Sequence, residues 1–387
     1  MSLIGAEVTV LGAGVAGLAV ARALALRGAR VTVLEQAPAL GEVGAGIQIS
    51  PNGAAVLRAL GLGAALDASS LRAGAVVLHD GIRGGQVLRL DLARLRPGQG
   101  YHFLHRADLI ALLAAGAAEA GVVLRLGEKV RDVALGGSPQ ITLGNGAVHR
   151  PALLLGADGL HSPVRAALNG VAAPFFTGQV AWRAVIAAES GAVPQAEVHM
   201  GRGRHLVSYP LPGGRRNIVA VEERAGWAAE GWSHRDDPAH LRHAFRDFSP
   251  RVQGWLAEVK APGLWGLFRH PVAAHWQGQG VAILGDAAHP TLPFMAQGAN
   301  MALEDAWVLA ACLAGHDDPQ AGLAAYQARR APRCTRIVAA AGNSARIYHL
   351  GGPARHIAHL GLRGMGWLAP GLALRRFDWL YGHDVTA

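Results

Sequence analysis

Three glycines near the N-terminus have the types and spacing that a phosphate-binding turn requires. Gly12, Gly14 and Gly17 follow an apolar stretch over residues 7–11 and begin a segment rich in alanine and leucine. In such a turn the first glycine permits the bend, the second lets a pyrophosphate approach the backbone, and the third lets helix and strand pack closely. The spacing therefore predicts a phosphate site at a helix N-terminus, where unpaired N–H groups and the helix dipole stabilise anions.

An acidic residue completes this unit. Gly28 ends the predicted helix, residues 30–34 form a second apolar strand, and Glu35 and Gln36 follow it. A carboxylate at this position accepts hydrogen bonds from a ribose diol and repels a 2′-phosphate. Strand, glycine turn, helix, strand and acid together predict a dinucleotide-binding unit. The unit does not distinguish NAD from FAD.

Two further segments suit a nucleotide. A glycine-rich loop over residues 41–46 precedes a predicted helix over 54–60, and a loop so poor in side chains can pass close to a flat ligand. Arg106 begins another helix rich in alanine and leucine, and its guanidinium can reach a phosphate. Both segments are therefore candidates for the same binding site.

Two more apolar strands end at acidic residues. Asp158 follows a strand over residues 152–155, and Asp286 follows a strand over residues 280–284. The chain between these strands changes to short alternating segments, which predict an antiparallel sheet that covers the substrate. The predicted domains are 1–174 and 276–348 for nucleotide binding (with substrate-domain insertions near 70–100), 175–275 for the antiparallel sheet, and 349–387 for a C-terminal cap.

These motifs, in this order, resemble the FAD-dependent aromatic hydroxylases, the class A flavoprotein monooxygenases, and most closely their salicylate hydroxylase-like branch. The resemblance rests on the glycine turn with Glu35 and on residues 156–159, 285–290, 297–306 and 377–382. It implies an α/β fold: a Rossmann-like FAD-binding domain of the glutathione reductase type, an inserted antiparallel-sheet substrate domain and a helical C-terminus.

The resemblance also implies an activity. FAD would be the cofactor, NADH or NADPH and O2 the co-substrates, and a flavin C4a-hydroperoxide would hydroxylate a small phenolic or heteroaromatic acid similar to salicylate. One alternative is an FAD-dependent hydroxylase or epoxidase that acts on a quinone-type or other non-salicylate substrate. A second alternative is a nucleotide-sensing regulator without turnover.

The same resemblance implies roles for particular residues. Glu35 would hold the adenosine ribose, Asp286 the ribityl chain, and Asp158 the phosphate end and the transient nicotinamide site. Gly298 and Ala299 would lie under the pyrimidine edge of the flavin. The complete predicted FAD-binding set is Gly12, Gly14, Ala16, Gly17, Glu35, Gln36, Gly46, Arg106, Val130, Asp158, Asp286, Gly298 and Ala299.

The predicted catalytic residues are His205, Tyr209 and Pro293. His205 and Tyr209 share one face of a strand and can both face the ring pocket, although spacing alone equally allows a core histidine and a sheet tyrosine. Pro293 lacks an N–H, so it can pack near the flavin carbon that reacts with oxygen without disturbing a hydroperoxide there. Gln48 and Arg183 are candidate substrate residues, and Arg183 could instead be a surface arginine at a strand end.

Other polar residues receive structural interpretations. We expect His289 to be a loop histidine that is hydrogen-bonded to backbone, and Glu304 and Asp305 to give a helix a soluble face. Cys312 and Cys334 are predicted to be inert core thiols. No metal site is predicted, because no histidine pair flanks a glutamate at helical spacing.

Composition restricts the remaining choices. The 387 residues contain 36 Lys plus Arg and 27 Asp plus Glu, for a net charge of +9, but the arginines are scattered. We therefore expect anionic small molecules rather than nucleic acid as partners. Two cysteines suggest a cytoplasmic protein, and no apolar run reaches the roughly 18 residues that stable membrane insertion needs. Residues 356–374 are predicted to pack as a cap rather than touch a membrane surface. The oligomeric state (monomer or homodimer) is not predicted.

Overall fold

The computed structural model describes residues 3–41, 45–226 and 235–387. Its strands are β1 (Glu7–Leu11), β2 (Arg30–Glu35), β3 (Gly46–Ile49), β4 (Leu71–Arg72), β5 (Ala75–Asp80), β6 (Gln86–Asp91), β7 (His102–His105), β8 (Val123–Leu126), β9 (Val130–Ala134), β10 (Gln140–Leu143), β11 (Val148–His149), β12 (Leu153–Gly156), β13 (Phe175–Ala187), β14 (Gln195–Gly201), β15 (Arg204–Leu211), β16 (Arg215–Glu223), β17 (Gly263–Arg269), β18 (Gln277–Gly278) and β19 (Val281–Ile283).

The helices of the described residues alternate with these strands and then form the C-terminal part. They are α1 (Val15–Ala25), α2 (Pro51–Ala59), α3 (Gly63–Ser69), α4 (Leu92–Leu95), α5 (Arg106–Glu119), α6 (Pro163–Asn169), α7 (Pro238–Ala244), α8 (Pro250–Ala257), α9 (Gly298–Ala314), α10 (Pro319–Tyr348), α11 (Gly352–Leu368), α12 (Pro370–Arg375) and α13 (Asp378–Tyr381). Two short 3-10 turns, Gly285–Ala287 and Phe294–Ala296, precede α9.

The first layer is a sheet that is parallel except at one edge. In the described part of the chain its order is β18-β19-β12-β1-β2-β8, and only the β18–β19 pair is antiparallel. Strands β1, β2, β12 and β19 are largely buried, as apolar strands covered on both faces must be. The predicted Rossmann-like layer is therefore confirmed, and it is formed by segments that are far apart in sequence.

The second layer is the predicted antiparallel sheet. Its order is β17-β13-β16-β15-β14-β5-β6, and the β14–β5 pair is parallel. Strand β13 begins at Phe175, and an irregularity between Phe176 and Val180, where Gly178 has φ +76°, interrupts its alternation. Apolar residues on the outer face of the sheet, among them Trp182, pack against Phe245 at the end of α7 and Leu256 of α8. The opposite face is turned toward the first layer.

The C-terminal helices α11 and α12 lie against strand β6 at the edge of the second sheet. Helix α11 packs against β6 on one face, but its other face is open. Leu362 packs against the sheet, whereas Ile357 is 74% exposed and Trp367 is 84% exposed, so part of the apolar surface of this helix faces outward. Among the described residues, no helix combines the length and apolarity that crossing a membrane requires.

Candidate active site

A cavity of about 450 Å³ lies between the glycine turn of the first layer and the inner face of the second sheet. Residues from both layers line it, which brings together segments separated by up to about 290 positions. The predicted site residues in its wall are Gly14, Ala16, Gly46, Gln48, Arg106, Arg183, His205, Tyr209, Asp286, Pro293, Gly298 and Ala299. The sheet therefore places the predicted ring pocket directly against the predicted cofactor site.

The glycine turn has the shape that a pyrophosphate needs. A Cβ at Gly17 would lie 1.9 Å from the Gly12 carbonyl oxygen, and a Cβ at Gly12 would lie 2.5 Å from the Ala157 oxygen. A Cβ at Gly14 would meet no atom of the described residues within 4 Å. Gly12 and Gly17 are thus required for packing, whereas Gly14 leaves open space before the N-terminus of α1, where N–H groups attract phosphate.

Glu35 is held at the same turn. Its Oε2 accepts a hydrogen bond from the Ala13 N–H (2.7 Å), and its Oε1 accepts one from the Ala37 N–H (2.8 Å). A carboxylate has about four acceptor sites, so it can still accept from a ribose diol. Gln36 follows Glu35 and is exposed. The residues of the turn therefore fit the nucleotide half of FAD.

The two acids after the buried strands differ in position. Asp286 lines the cavity, and its side chain is accessible from there. Protein surrounds the loop that carries it, and this burial raises the pKa of Asp286 above its usual value. The nearby charges of His289 and Arg106 partly oppose that rise. Asp158 lies behind the cavity wall, where burial raises its pKa to about 6. Of these two acids, Asp286 is the one that can contact a ligand in the cavity.

Other predicted cofactor residues lie outside the cavity wall. Val130 begins β9 in the small antiparallel sheet β11-β10-β9, and Gly12, Gly17 and Asp158 lie beneath the wall rather than in it. Their roles in FAD binding stay predictions. Gly46 has a different constraint, because a Cβ there would lie 2.9 Å from Cε2 of Tyr209.

The inner face of the second sheet carries the groups suited to an aromatic substrate. Residues 205, 207 and 209 of β15 share this face, and Arg183 of β13 lies in the same cross-strand row as Val207. The Arg183 guanidinium lies over the Trp265 ring, 4.5 Å from its centroid. Arg183 is therefore a mid-strand residue that faces the cavity, and not a surface arginine at a strand end.

The chemistry of His205 and Tyr209 follows from their burial. Burial and the neighbouring His349 lower the pKa of His205 well below its usual value, so its imidazole is neutral at physiological pH. Burial raises the pKa of Tyr209, so its phenol keeps its proton. A neutral imidazole can accept a proton and a phenol can donate a hydrogen bond. Gln48 lies nearby, and its Oε1 accepts a hydrogen bond from the Tyr101 hydroxyl (2.8 Å).

Backbone strain marks the loop before α9. Pro293 lines the cavity, and Met295 and Ala296 have φ values of +70° and +55° in the left-handed region. Such conformations cost about 1–3 kcal/mol each and persist only where surrounding structure holds them. The strained turn leads directly into Gly298 and Ala299, the first residues of α9, which line the cavity.

The interpretation of Glu304 and Asp305 as a soluble helix face is wrong. Both side chains are fully buried, because they are paired with cations. Glu304 accepts hydrogen bonds from Arg330, from Arg333 and from the Asn52 amide (2.7 Å). The exposed-helix interpretation failed because the partners of these acids lie on α2 and α10, which are distant in the sequence.

The interpretation of His289 is also wrong. Its Nε2 lies 2.5 Å from Oδ2 of Asp305, so its partner is a carboxylate rather than backbone. Asp305 also accepts from the Gly285 N–H (3.1 Å) and from Arg330 Nε (2.7 Å). Burial alone would raise the pKa of Asp305, but the charges of His289 and Arg330 hold it at about 2. This cluster fastens the loop that carries Asp286 to α9.

A signal for the cluster exists in the sequence. Gln297, Asn300 and Glu304 recur at i, i+3 and i+7, which places them on one helix face, and Arg330 and Arg333 are spaced similarly on α10. Polar residues at the spacing of a buried face suggest a buried polar contact between helices. Both cysteines are buried and free, as predicted.

Two groups of metal-type ligands occur in the described part of the chain: His79 with Glu197 and His199, and His289 with Asp305 and Cys334. The rings of the first group stack with planes 10° apart, so their in-plane lone pairs do not converge on one point. In each group an arginine already pairs with the carboxylate. The absence of a metal site stays a prediction.

The glycine turn, the acid at the end of β2 and the cavity between two layers form a dinucleotide site beside a substrate cavity, the arrangement expected of the class that the sequence resembles. Comparisons with known proteins agree with this class. The chain belongs to the family described as FAD binding domain, whose match covers residues 5–341. Within that family it is an FAD-dependent aromatic hydroxylase, as the relatives below indicate.

Two curated relatives cover nearly the whole chain. A 3-hydroxybenzoate 6-hydroxylase of Polaromonas naphthalenivorans (strain CJ2) is 35% identical over 389 residues, which cover 98% of this chain and 96% of the relative. A salicylate hydroxylase of Pseudomonas putida is 30% identical over 416 residues, which cover 99% and 93%. The quinone-type alternative is not favoured by these relatives.

Solved structures agree on the fold. A salicylate hydroxylase substrate complex has a TM-score of 0.83 at 22% identity and covers 99% of this chain and 96% of that chain. HpxO of Klebsiella pneumoniae, solved with FAD and uric acid, has a TM-score of 0.81 at 26% identity, with 92% of each chain covered. The predicted fold, cofactor and enzyme class are therefore confirmed.

Proposed function

We propose that this enzyme hydroxylates a small aromatic acid that carries a phenolic hydroxyl, with O2 as co-substrate and NADH or NADPH as electron donor. The observation that carries the proposal is the grouping of Arg183, His205 and Tyr209 on one sheet face beside the cofactor cavity. The relatives named above act on 3-hydroxybenzoate and salicylate, which have the same two functional groups.

The cavity wall is suited to a flat ring. Val207, Val219, Val221, Trp265 and Phe294 contribute apolar surface around the three polar groups. Small-molecule sites commonly combine apolar walls with a few polar groups that fix the orientation of the ligand. An aromatic ring with two polar substituents matches this arrangement, because its faces need apolar contacts and its substituents need partners.

Arg183 is proposed to hold the carboxylate of the substrate. A guanidinium directs its N–H donors within its own plane, whereas stacking on the Trp265 ring uses its face, so stacking is compatible with binding an anion. A charged hydrogen bond of this kind contributes about 1.5–3 kcal/mol. The net charge of +9 would favour approach of an anionic acid.

His205 and Tyr209 are proposed to act on the phenolic hydroxyl. An aromatic ring becomes more electron-rich when its hydroxyl loses a proton, and a neutral His205 can accept that proton. Tyr209, which keeps its own proton, can donate a hydrogen bond to the resulting phenolate oxygen. Gln48 would help to orient the ring from β3.

The cofactor residues are proposed from the same geometry. FAD, when bound, would supply the electron transfer and the activation of oxygen. Gly14 and the start of α1 would hold its pyrophosphate, Glu35 a ribose, and Asp286 its sugar-alcohol chain. The N–H groups at the start of α9 would stabilise negative charge on the ring system. Pro293 has no backbone N–H, so it places no hydrogen-bond donor in the part of the cavity that it lines.

A cytoplasmic location is part of the proposal. It is supported by the two cysteines, which are both free thiols rather than a disulfide.

The experiment uses the FAD-loaded enzyme with salicylate, 3-hydroxybenzoate and 3-amino-4-hydroxybenzoate, and with benzoate and phenol as controls that lack one group. NAD(P)H oxidation, O2 uptake and hydroxylated product are measured together. We expect at least one hydroxybenzoate to stimulate all three, and neither control to form product. If no phenolic acid stimulates NAD(P)H oxidation, the proposed substrate class is wrong.

Variants test the residue roles. Arg183→Met should raise KM for the active acid about 10- to 100-fold, as expected for the loss of one charged hydrogen bond. The matched control is Arg269→Met, since Arg269 also stacks on an aromatic ring but lies outside the cavity wall. His205→Ala and Tyr209→Phe should lower product yield more than FAD content, whereas equal losses would indicate a folding role.

A further inference from the structure

A hydrogen-bonded chain leads away from His205. Its Nδ1 lies 2.7 Å from Nε2 of His349, the residue after α10. His349 Nδ1 in turn lies 2.6 Å from Oε1 of Glu223, the last residue of β16. Both distances are short enough for hydrogen bonds, so the three side chains form a continuous series.

The series runs from the cavity to the surface. His205 is 1% exposed and lines the cavity, the His349 side chain is 3% exposed, and the Glu223 side chain is 53% exposed. Gly203 fixes the outer part, because its N–H donates to the His349 carbonyl (3.1 Å) and its carbonyl accepts from the Glu223 N–H (2.9 Å). The path therefore has one end at the proposed ring pocket and one end in solvent.

The carboxylate at the outer end determines where each proton lies. An ionised Glu223 can only accept, so His349 must carry its proton on Nδ1. A neutral His349 then accepts through Nε2, and His205 must donate from Nδ1. This arrangement leaves Nε2 of His205 without a proton, and Nε2 is then the basic atom of the histidine in the cavity wall.

We infer that His349 and Glu223 form a proton exit that carries the substrate's phenolic proton from His205 to solvent, an inference that rests on the proposed function. The phenol O–H breaks as a proton binds Nε2 of His205. The Nδ1 proton of His205 passes to Nε2 of His349, the Nδ1 proton of His349 passes to Glu223, and Glu223 releases one proton to water. No net charge remains on either buried histidine.

Burial explains why a path is needed. It lowers the pKa of both histidines, and the Glu223 carboxylate only partly opposes this effect at His349. A proton left on His205 would therefore be an unfavourable buried charge. With an acceptor chain the same imidazole can take a proton and pass one on. His349 and Glu223 are positioning and relay residues, since neither lines the cavity.

The first test compares Glu223→Gln with Glu222→Gln in the FAD-loaded enzyme, with 3-hydroxybenzoate and salicylate as probes. Glu222 lies one position earlier in β16 and pairs with Arg224, so it is a matched control. Glu223→Gln should lower kcat about 10-fold, less than the loss of a general base, which costs about 100-fold or more. KM and FAD content should change little, and added formate should restore activity to Glu223→Ala. An unchanged kcat in Glu223→Gln would overturn the relay.

A second measurement does not depend on turnover. Nitrogen-15 NMR of labelled histidines in the FAD-loaded enzyme reports which ring nitrogen carries the proton. We expect His205 and His349 to be protonated on Nδ1 in the unmodified enzyme, and Glu223→Gln to change this pattern. A proton on Nε2 of His205 in the unmodified enzyme would refute the path. If no probe is hydroxylated, the proposed function fails, and the NMR result still decides the relay.

Discussion

Replacing Asp305 by asparagine tests how the loop before α9 is held. Asp305 is fully buried, and its oxygens accept from three donors: His289 Nε2, the Gly285 N–H and Arg330 Nε. Asparagine has the same shape but only one acceptor oxygen, and its NH2 group would face a donor in either orientation. Either His289 or Arg330 therefore loses its partner.

The size of the effect follows from burial. Removing one member of a buried ion pair costs about 3–5 kcal/mol, because the remaining charge is left without compensation. Arg330 keeps Glu304 as a partner, so we place Asp305→Asn near the lower limit, at about 3 kcal/mol. The loop that carries Asp286 and Pro293 would loosen with it, so FAD content should fall as well.

The assay is urea unfolding of the FAD-loaded enzyme, with bound FAD measured by absorbance after desalting. Asp378→Asn is the control, because Asp378 makes two 2.9 Å hydrogen bonds to Arg96 but lies at the surface. That exposed pair should contribute about 1 kcal/mol or less. If Asp305→Asn loses no more stability and no more FAD than Asp378→Asn, the buried cluster does not hold the loop.

Two further predictions concern the glycine turn and pH. Gly17→Ala should destabilise the fold, because its Cβ would lie 1.9 Å from the Gly12 oxygen. Gly14→Ala should fold but lose FAD, because its Cβ would occupy the open space that the pyrophosphate needs. Urea midpoints and bound FAD separate the two effects, and equal stability of both variants would contradict this explanation. The pKa of Asp305 is about 2 when folded and about 3.9 when unfolded, so its contribution to stability is present above about pH 4 and declines as pH falls toward 2. The difference in unfolding free energy between the unmodified enzyme and Asp305→Asn should shrink over that range, and a constant difference would show that the charge of Asp305 is not responsible.

Local patterns were sufficient for several parts of the site. Gly12 and Gly17 identify the turn because close approaches between backbones leave no room for a Cβ, whereas Gly14 leaves open space for a ligand, and these needs recur at a fixed spacing in the sequence. The inward face of β15 also followed from alternation, which brings His205 and Tyr209 to one side of the sheet. Both inferences depend only on residues near each other in the chain.

The sequence by itself determined the dinucleotide unit, the two-layer α/β organisation and the candidate groups His205, Tyr209 and Arg183, because strand and helix periodicities are local properties. Only the tertiary structure decided that Glu304, Asp305 and His289 form a buried cluster with Arg330, and that His205 connects to the surface. A single acidic residue on a helix looks the same in sequence whether it faces water or an arginine, and the spacing of Gln297, Asn300 and Glu304 indicates a polar face without identifying its partner. Its environment is set by which distant helix packs against it, and that packing depends on the whole fold.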